Sequence, residues 1–333
     1  MNTRHVTFVV TSPGRVGAGE INKVAALARG LGAQLELFHC AYNARATPAG
    51  HFGLPTAEED IHALIERRRE QLEPMAQRLR AQGLAVRISV RWDYPVHEGI
   101  VRHVLRRRPA LLIAQSSRRT RAARLMLTQT DYKLIETCPC PVLLIKTASA
   151  YATPLILAAV DPARSHGKPS SLDDGILSAA ARMRAATQGT LHVLHAGASW
   201  EEAIRKRPDL QDLPAAVQED IRGAWWNGIR EQVSALARRH AVTDDCVEVI
   251  EGEAAELVPR VAHSHSAAIV ALGAVSRSAL GRALIGHTAE RVLDALECDV
   301  LIVKPADFRT PVSRESTHRV VQDTAQVPGN PAS

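Results

Sequence analysis

Residues 267–304 read AAIVALGAVSRSALGRALIGHTAERVLDALECDVLIVK. Ala267–Leu272 is an unbroken apolar run of strand length, closed by Gly273. A loop of small residues follows. Gly286 then leads into Thr288–Leu296, which has helical spacing and a start that Thr288 or His287 can cap. Val300–Lys304 is a second short apolar run. Strand, loop, helix and strand in this order describe one step of a parallel sheet buried on both faces.

The same string occurs earlier in the chain. A shift of 158 residues, the distance from Lys146 to Lys304, lays Val142–Lys146 on Val300–Lys304 and Leu111–Ala114 on Ile269–Leu272. It also pairs Cys140 with Cys298 and Thr130 with Thr288. Near the start, a shift of 149 residues lays Ser12-Pro13-Gly14-Arg15 on Asp161-Pro162-Ala163-Arg164. The difference between the shifts fits insertions in loops or in a long helix. One α/β unit of about 150 residues has therefore been duplicated.

Periodicity extends the grammar through both copies. The first copy predicts strands at His5–Val10, Ala33–His39, Ala85–Trp92, Ala110–Ala114 and Pro141–Lys146. Its helices are predicted at Ile21–Leu31, Ala57–Gln82, Val96–Arg107 and Thr130–Glu136, with a Pro/Gly-rich loop over 44–56. The second copy predicts strands at Leu155–Val160, Thr190–His195, Cys246–Ile250, Ala267–Leu272 and Val300–Lys304. Its helices are predicted at Asp174–Thr187, Pro214–His240, Ala255–His263 and Thr288–Leu296. The expected domains are residues 1–148 and 152–305. Residues 306–333 are polar and aperiodic, and are expected to be a disordered tail.

The chain has 333 residues, of which 46% are hydrophobic, 23% charged and 4% aromatic. That balance excludes wholesale disorder, collagen and a disulfide-stapled miniprotein. No apolar run reaches the ~20 residues of a membrane helix. The N-terminal apolar run stops at Thr11-Ser12-Pro13-Gly14, too short for a signal peptide, so a cytoplasmic location is expected and membrane insertion is not. Cys40, Cys138, Cys140, Cys246 and Cys298 form no CxxC pair, and an odd count argues against a full disulfide set. The net charge of +6 permits acidic partners, but few aromatics are available to stack bases, so nucleic acid is not the expected partner. Arg67–Arg69 and Arg106–Arg108 lie in helical stretches and read as solvated faces.

In an open parallel sheet, ligands sit at the carboxyl ends of the strands. There, the free N–H groups of a helix start suit phosphate, and glycine lets the backbone approach closely. The loop after Ala267–Leu272 has Gly273, two residues, Ser276, nine residues, then Gly286, His287 and Thr288. This spacing resembles the universal stress protein family, whose pattern is Gly, two residues, Gly, nine residues, Gly, then Ser or Thr. Asp161 in LILAAVDP matches the family's adenine-binding Asp at the end of its first strand. HVLHA (His192–Ala196) and GEAAELV (Gly252–Val258) resemble its second strand and the turn after its third.

The resemblance implies two tandem adenine-nucleotide-hydrolase-like, Rossmann-like domains, each a five-stranded parallel sheet with helices on both faces. Single-domain relatives pair through their last strands, so the two halves are expected to form an intramolecular pseudo-dimer about a pseudo-twofold axis. A homodimer of the whole chain is also compatible with the resemblance. ATP or another adenine nucleotide is the implied ligand, and no metal is expected. The nucleotide-binding residues would be Asp161, Pro162, Ala196, Gly252, Gly273, Ser276, Gly286, His287 and Thr288.

The halves differ. In the first, Gln115, Arg118 and Thr128 replace the three glycines, and Ser12 replaces the Asp. Asp131 falls in the first helical turn, where it can satisfy the helix dipole and repel phosphate. Binding is therefore expected in the second half only, within a protein that acts by binding a ligand or a partner. The alternatives are a weak ATP hydrolase at the same place, and an adaptor with a basic surface. Gly14, Gly17 and Gly19, with Glu36 downstream, mimic a dinucleotide loop but in the wrong order. His263 and His265 lie two apart near a helix end and do not by themselves make a metal site. Trp225 and Trp226, in a long amphipathic helix, read as packing residues or a partner contact.

Overall fold

The computed structural model describes residues 5–42, 56–116, 127–162, 171–197, 199–205, 207–274 and 287–316. The first half runs β1 (His5–Val9), α1 (Ala18–Gly30), β2 (Gln34–Ala41), α2 (Thr56–Ala81), β3 (Val86–Trp92), α3 (Val96–Arg107), β4 (Leu111–Gln115), α4 (Gln129–Thr137) and β5 (Val142–Ile145). The second runs β6 (Leu155–Ala159), α5 (Ser171–Thr187), β7 (Thr190–Gly197), α6 (Trp200–Arg205), α7 (Pro208–Gln211) and α8 (Ala215–Arg239). It continues with β8 (Val247–Glu251), α9 (Ala254–Ser264), β9 (Ile269–Gly273), α10 (His287–Ala295) and β10 (Asp299–Val303). The short helices α6 and α7 have no counterpart among the expected elements. The expected loop at 44–56 lies, but for Thr56, outside the described residues.

The strands are ordered β3-β2-β1-β4-β5-β10-β9-β6-β7-β8 in one sheet of ten. Neighbours within each half are parallel. The junction, β5 with β10, is antiparallel. The two expected sheets are thus joined edge to edge. The cause lies in VLLI and DVLIV, whose residues are all buried. An apolar strand of this kind left at an open edge invites uncontrolled pairing. Leu143 faces Leu301, while Val300 faces Leu144 and Ile302 faces Val142. Leu143 and Leu301 are each other's repeat equivalents, so the register is symmetric about them.

The sheet alternates side chains between two layers. Leu143 and Ile145 join a core that includes α1, α2, α5 and α8. Val142 and Leu144 join the opposite core, which includes α3, α4, α9 and α10. Polar contacts lock the junction. Lys146 Nζ donates to the carbonyls of Leu293 (2.6 Å) and Leu296 (2.7 Å), satisfying the end of α10 from the other half. Asp299, fully buried, receives Lys23 Nζ from α1 at 2.6 Å and the Tyr151 hydroxyl at 2.6 Å. It also receives the backbone N–H groups of Lys146 (2.8 Å) and Thr147 (3.0 Å).

The expected tail does not begin at Ala306. Residues 306–316 turn back toward the first half: Val312 packs on the core layer that includes α3, α4, α9 and α10, and Ser316 Oγ donates to Asp93 at 3.0 Å. Apolar Phe308 and Val312 anchor a stretch whose overall composition suggested no structure; the Lys304 ammonium sits 4.6 Å over the Phe308 ring. Residues 317–333 lie outside the described residues.

Candidate functional site

Because β6–β9 are parallel, their carboxyl ends bring Asp161, Pro162, Ala196, Gly252 and Gly273 to one edge of the second half. The Asp161 backbone N–H donates to Asp173 Oδ1 of α5 at 3.0 Å. Its carboxylate, 15% exposed, has Oδ1 3.9 Å from His195 Nδ1. His195 is fully buried on β7, and its Nδ1 donates to the Val160 carbonyl at 3.0 Å. A carbonyl can only accept, so Nδ1 carries the proton of this bond. Nε2 has no hydrogen-bond partner among the described residues. It faces Gly197, where a Cβ would approach it to 3.2 Å.

Gly252 takes φ 139°, a backbone region open chiefly to glycine, and its N–H donates to the Gly197 carbonyl at 2.9 Å. Trp226 of α8 covers the end of β7, with a ring atom 3.0 Å from where a Gly197 Cβ would sit. Trp226 packs edge-on against Trp225, which in turn meets Trp200 at 5.9 Å. Gly273 serves packing: a Cβ there would lie 2.6 Å from Leu172 of α5. Thr288 sits in the first turn of α10. Ser276, Gly286 and the His287 side chain lie outside the described residues.

The equivalent edge of the first half is closed by its own side chains. Thr128 caps α4, its hydroxyl accepting the Asp131 N–H at 3.2 Å while Asp131 Oδ2 accepts the Thr128 N–H at 2.8 Å. Ser116 Oγ donates to the same carboxylate oxygen at 3.3 Å. Burial pushes the Asp131 carboxyl pKa up, against the pull of these hydrogen bonds. Gln115 Nε2 donates to Glu20 at 3.3 Å. By the 158-residue shift, Ser116, Thr128 and Asp131 become Ala274, Gly286 and Ala289. The closing side chains are thus absent from the second copy's sequence. The run Ser117–Arg124 lies outside the described residues.

Glu36 is embedded in an ion cluster instead of serving a dinucleotide loop. His103 Nε2 lies 2.9 Å from Glu36 Oε2, and the Thr7 hydroxyl donates to it at 3.2 Å. Burial would raise the Glu36 pKa, but these bonds and the Arg107 guanidinium hold it down at about 2. Burial, the largest influence on His103, lowers its pKa, so the imidazole is a neutral donor to an ionised carboxylate. Arg107 therefore turns inward from the expected solvated face, while Arg106 and Arg108 stay exposed. A cavity of about 620 Å³ lies at the junction, lined by Lys23, Thr147, Tyr151, Pro259, His263 and Cys298 among others. Among the described residues no helix is long and apolar enough to cross a membrane.

The profile of the universal stress protein family matches residues 19–146 and 155–304. The chain belongs to the universal stress protein family. Over 251 residues it is 27% identical to universal stress protein E of Salmonella typhi, covering 75% of this chain and 78% of that one. A Pseudomonas aeruginosa structure titled as functionally unknown is 28% identical, with TM-score 0.69 over 92% of this chain and 94% of its own. A universal stress protein from Archaeoglobus fulgidus is 16% identical, with TM-score 0.59 over 90% of this chain and 98% of its own, a likeness of fold.

Three residues at this edge escape motif reading: His195, Asp173 and Trp226. His195 was detectable in principle. His39 of the first half makes the same bond, Nδ1 to the Val10 carbonyl at 2.6 Å, so the repeat preserves a strand-end histidine. Asp173 and Trp226 carry no such signal, because they arrive from α5 and α8.

Proposed function

We propose that this universal stress protein is a cytoplasmic stress-response protein that acts by binding, and that its second half alone takes ATP or another adenine nucleotide. The domains meant are residues 1–148 and 152–305. One contrast carries the reading. Ser116, Thr128 and Asp131 close the first half's helix start, and their repeat equivalents are Ala274, Gly286 and Ala289. A helix start without such side chains keeps N–H groups for phosphate.

In this reading Asp161 accepts a hydrogen bond from the adenine amino group, beside Pro162 and the β7 end at Ala196. Gly252 and the backbone of Gly273 and Ser276 border the ribose and phosphates. The N–H groups at Gly286, His287 and Thr288 hold the phosphate. His195 Nε2 and the ring of Trp226 stand at the purine end of the same edge.

Calorimetric titration of the full chain with ATP tests this. One site per chain is expected, weakened by Asp161→Ala and Gly286→Val and indifferent to Ser12→Ala. Two equivalent sites, or binding that survives Gly286→Val, would overturn the assignment. Sustained phosphate release lost in the same variants would replace it with the hydrolase reading. No binding at millimolar ATP, with binding to anionic surfaces that falls steeply with salt, would replace it with a basic adaptor.

A further inference from the structure

The geometry points to a divalent transition-metal site made by His192, Glu248 and His265. Their ligand atoms all lie within 4.8 Å of one another, and each residue is partly exposed, so an ion can enter. They come from three elements. His192 is on β7, Glu248 is on β8, and His265 caps the end of α9. The ladder pairs Leu194 with Glu248, and His192 lies two residues before Leu194, so all three project from the same sheet face. Leu194 belongs to the core that α9 covers, and the end of α9 brings His265 down over that face. The backbone there is fixed, with His265 N–H bonded to Val261 O at 3.0 Å and Ala267 N–H to Ala262 O at 2.8 Å.

The separations suit a shared ion. Glu248 Oε1 lies 2.7 Å from His265 Nε2, and the two imidazole centroids are 5.5 Å apart, inclined at 54°. Two imidazoles on one tetrahedral zinc place their centroids about 5 Å apart, given metal–nitrogen bonds of ~2.0–2.1 Å. Two nitrogens and one carboxylate favour zinc, cobalt or a similar borderline ion over calcium or magnesium. Three protein ligands leave a fourth position for water. A cation is also favoured at the carboxyl end of α9.

The repeat supplies an independent argument. His39 and His195 are equivalent, which sets Glu36 against His192, and the 158-residue shift sets Arg107 against His265. In the first half this place holds fixed cations: Arg107 Nε is 3.5 Å and Arg87 Nε 4.0 Å from Glu36 Oε1. In the second half the carboxylate remains, on Glu248, but imidazole replaces guanidinium. A bound divalent ion would supply the missing positive charge. The site lies about 13 Å along β7 from the nucleotide edge, at four residues of ~3.3 Å each, so it is independent of the proposed function.

The test uses the full chain, stripped with a chelator and titrated with Co²⁺. Saturation at one ion per chain is expected, with the visible bands of a tetrahedral site and without the near-ultraviolet band of a thiolate ligand. Zn²⁺ should displace it. His192→Ala and His265→Ala should each weaken binding at least about tenfold. Asp161→Ala and Cys246→Ser should leave it unchanged. Glu248→Gln, nearly isosteric, carries the same comparison should an alanine variant fail to fold. Failure to saturate at one equivalent, affinity unchanged in His265→Ala, or a thiolate band that Cys246→Ser abolishes would each overturn the site.

Discussion

Asp299 is the residue on which the junction between the halves depends most. Its side chain and that of Lys23 are both fully buried. Oδ2 receives Lys23 Nζ and the Tyr151 hydroxyl. Oδ1 receives the Lys146 and Thr147 N–H groups, and the Thr147 hydroxyl at 3.3 Å. Asp299→Ala strips all of these donors of their acceptor and leaves the Lys23 ammonium with the Thr147 carbonyl (2.8 Å) and hydroxyl (3.0 Å) and the face of the Tyr151 ring (4.5 Å). Removing one partner of a buried pair costs about 3–5 kcal/mol, because the other charge stays buried. Lys23→Met is gentler, since Asp299 keeps two backbone N–H groups and two hydroxyls. The loss there is about 1.5–3 kcal/mol, the worth of a hydrogen bond to a charged group. In the double variant no stranded ammonium remains, so the effects should fall short of additive. Urea unfolding of wild type, both single variants and the double variant measures this. Equal losses in the two single variants, or strict additivity, would refute the reasoning.

Two further outcomes follow from the first half. Glu36 is held at a pKa of about 2 against an ordinary 4.5, so its stabilisation is complete above the unfolded value and is lost as pH falls through the folded one. That contribution is about 3 kcal/mol, and Glu36→Gln should flatten the stability curve between the two values; an acid limb as steep as wild type's would count against the cluster. Asp131→Ala removes half of the α4 capping box and should lower stability by about 1–2 kcal/mol in thermal or urea unfolding. A loss under a few tenths would mean that water caps the helix equally well.

The fold was legible because its cause is local and repeated. A shift of 158 residues lays β4, α4 and β5 onto β9, α10 and β10, and the structure places them at equivalent positions in the two halves. The apolar runs Val142–Ile145 and Val300–Val303 also foretold that the last strands would meet. The short helices α6 and α7 were not legible. Trp200 lies buried against Trp225, so tertiary packing supports that segment more than periodicity does. A Cβ at Gly273 would run into Leu172 of α5, a neighbour in the same half but 101 residues earlier in the chain and so invisible to spacing. His265 was weighed beside His263 by sequence proximity, whereas in the fold it meets Glu248 of β8 and His192 of β7.

The two copies solve the same electrostatic problems in different ways. At the helix start after the fourth strand, the first copy answers with Thr128, Asp131 and Ser116, whereas the second has Gly286, Ala289 and Ala274. Near the outer strands, the first copy answers a buried carboxylate with Arg107, whereas the second sets His265 against Glu248. Each change removes covalently attached partners: a carboxylate and two hydroxyls in one place, a guanidinium in the other. Polar groups released in this way can take water or a ligand in place of a side chain. Under both proposals the missing partner is a soluble one of the corresponding charge, phosphate at the helix start and a divalent cation at the histidines. The two sites stand apart along β7 and share no side chain, so Asp161→Ala and His265→Ala should each weaken one binding event and spare the other. A variant of one site that disturbs both would mean that the second half responds as a single unit, and that the two substitutions cannot be read as separate exchanges of side chain for ligand.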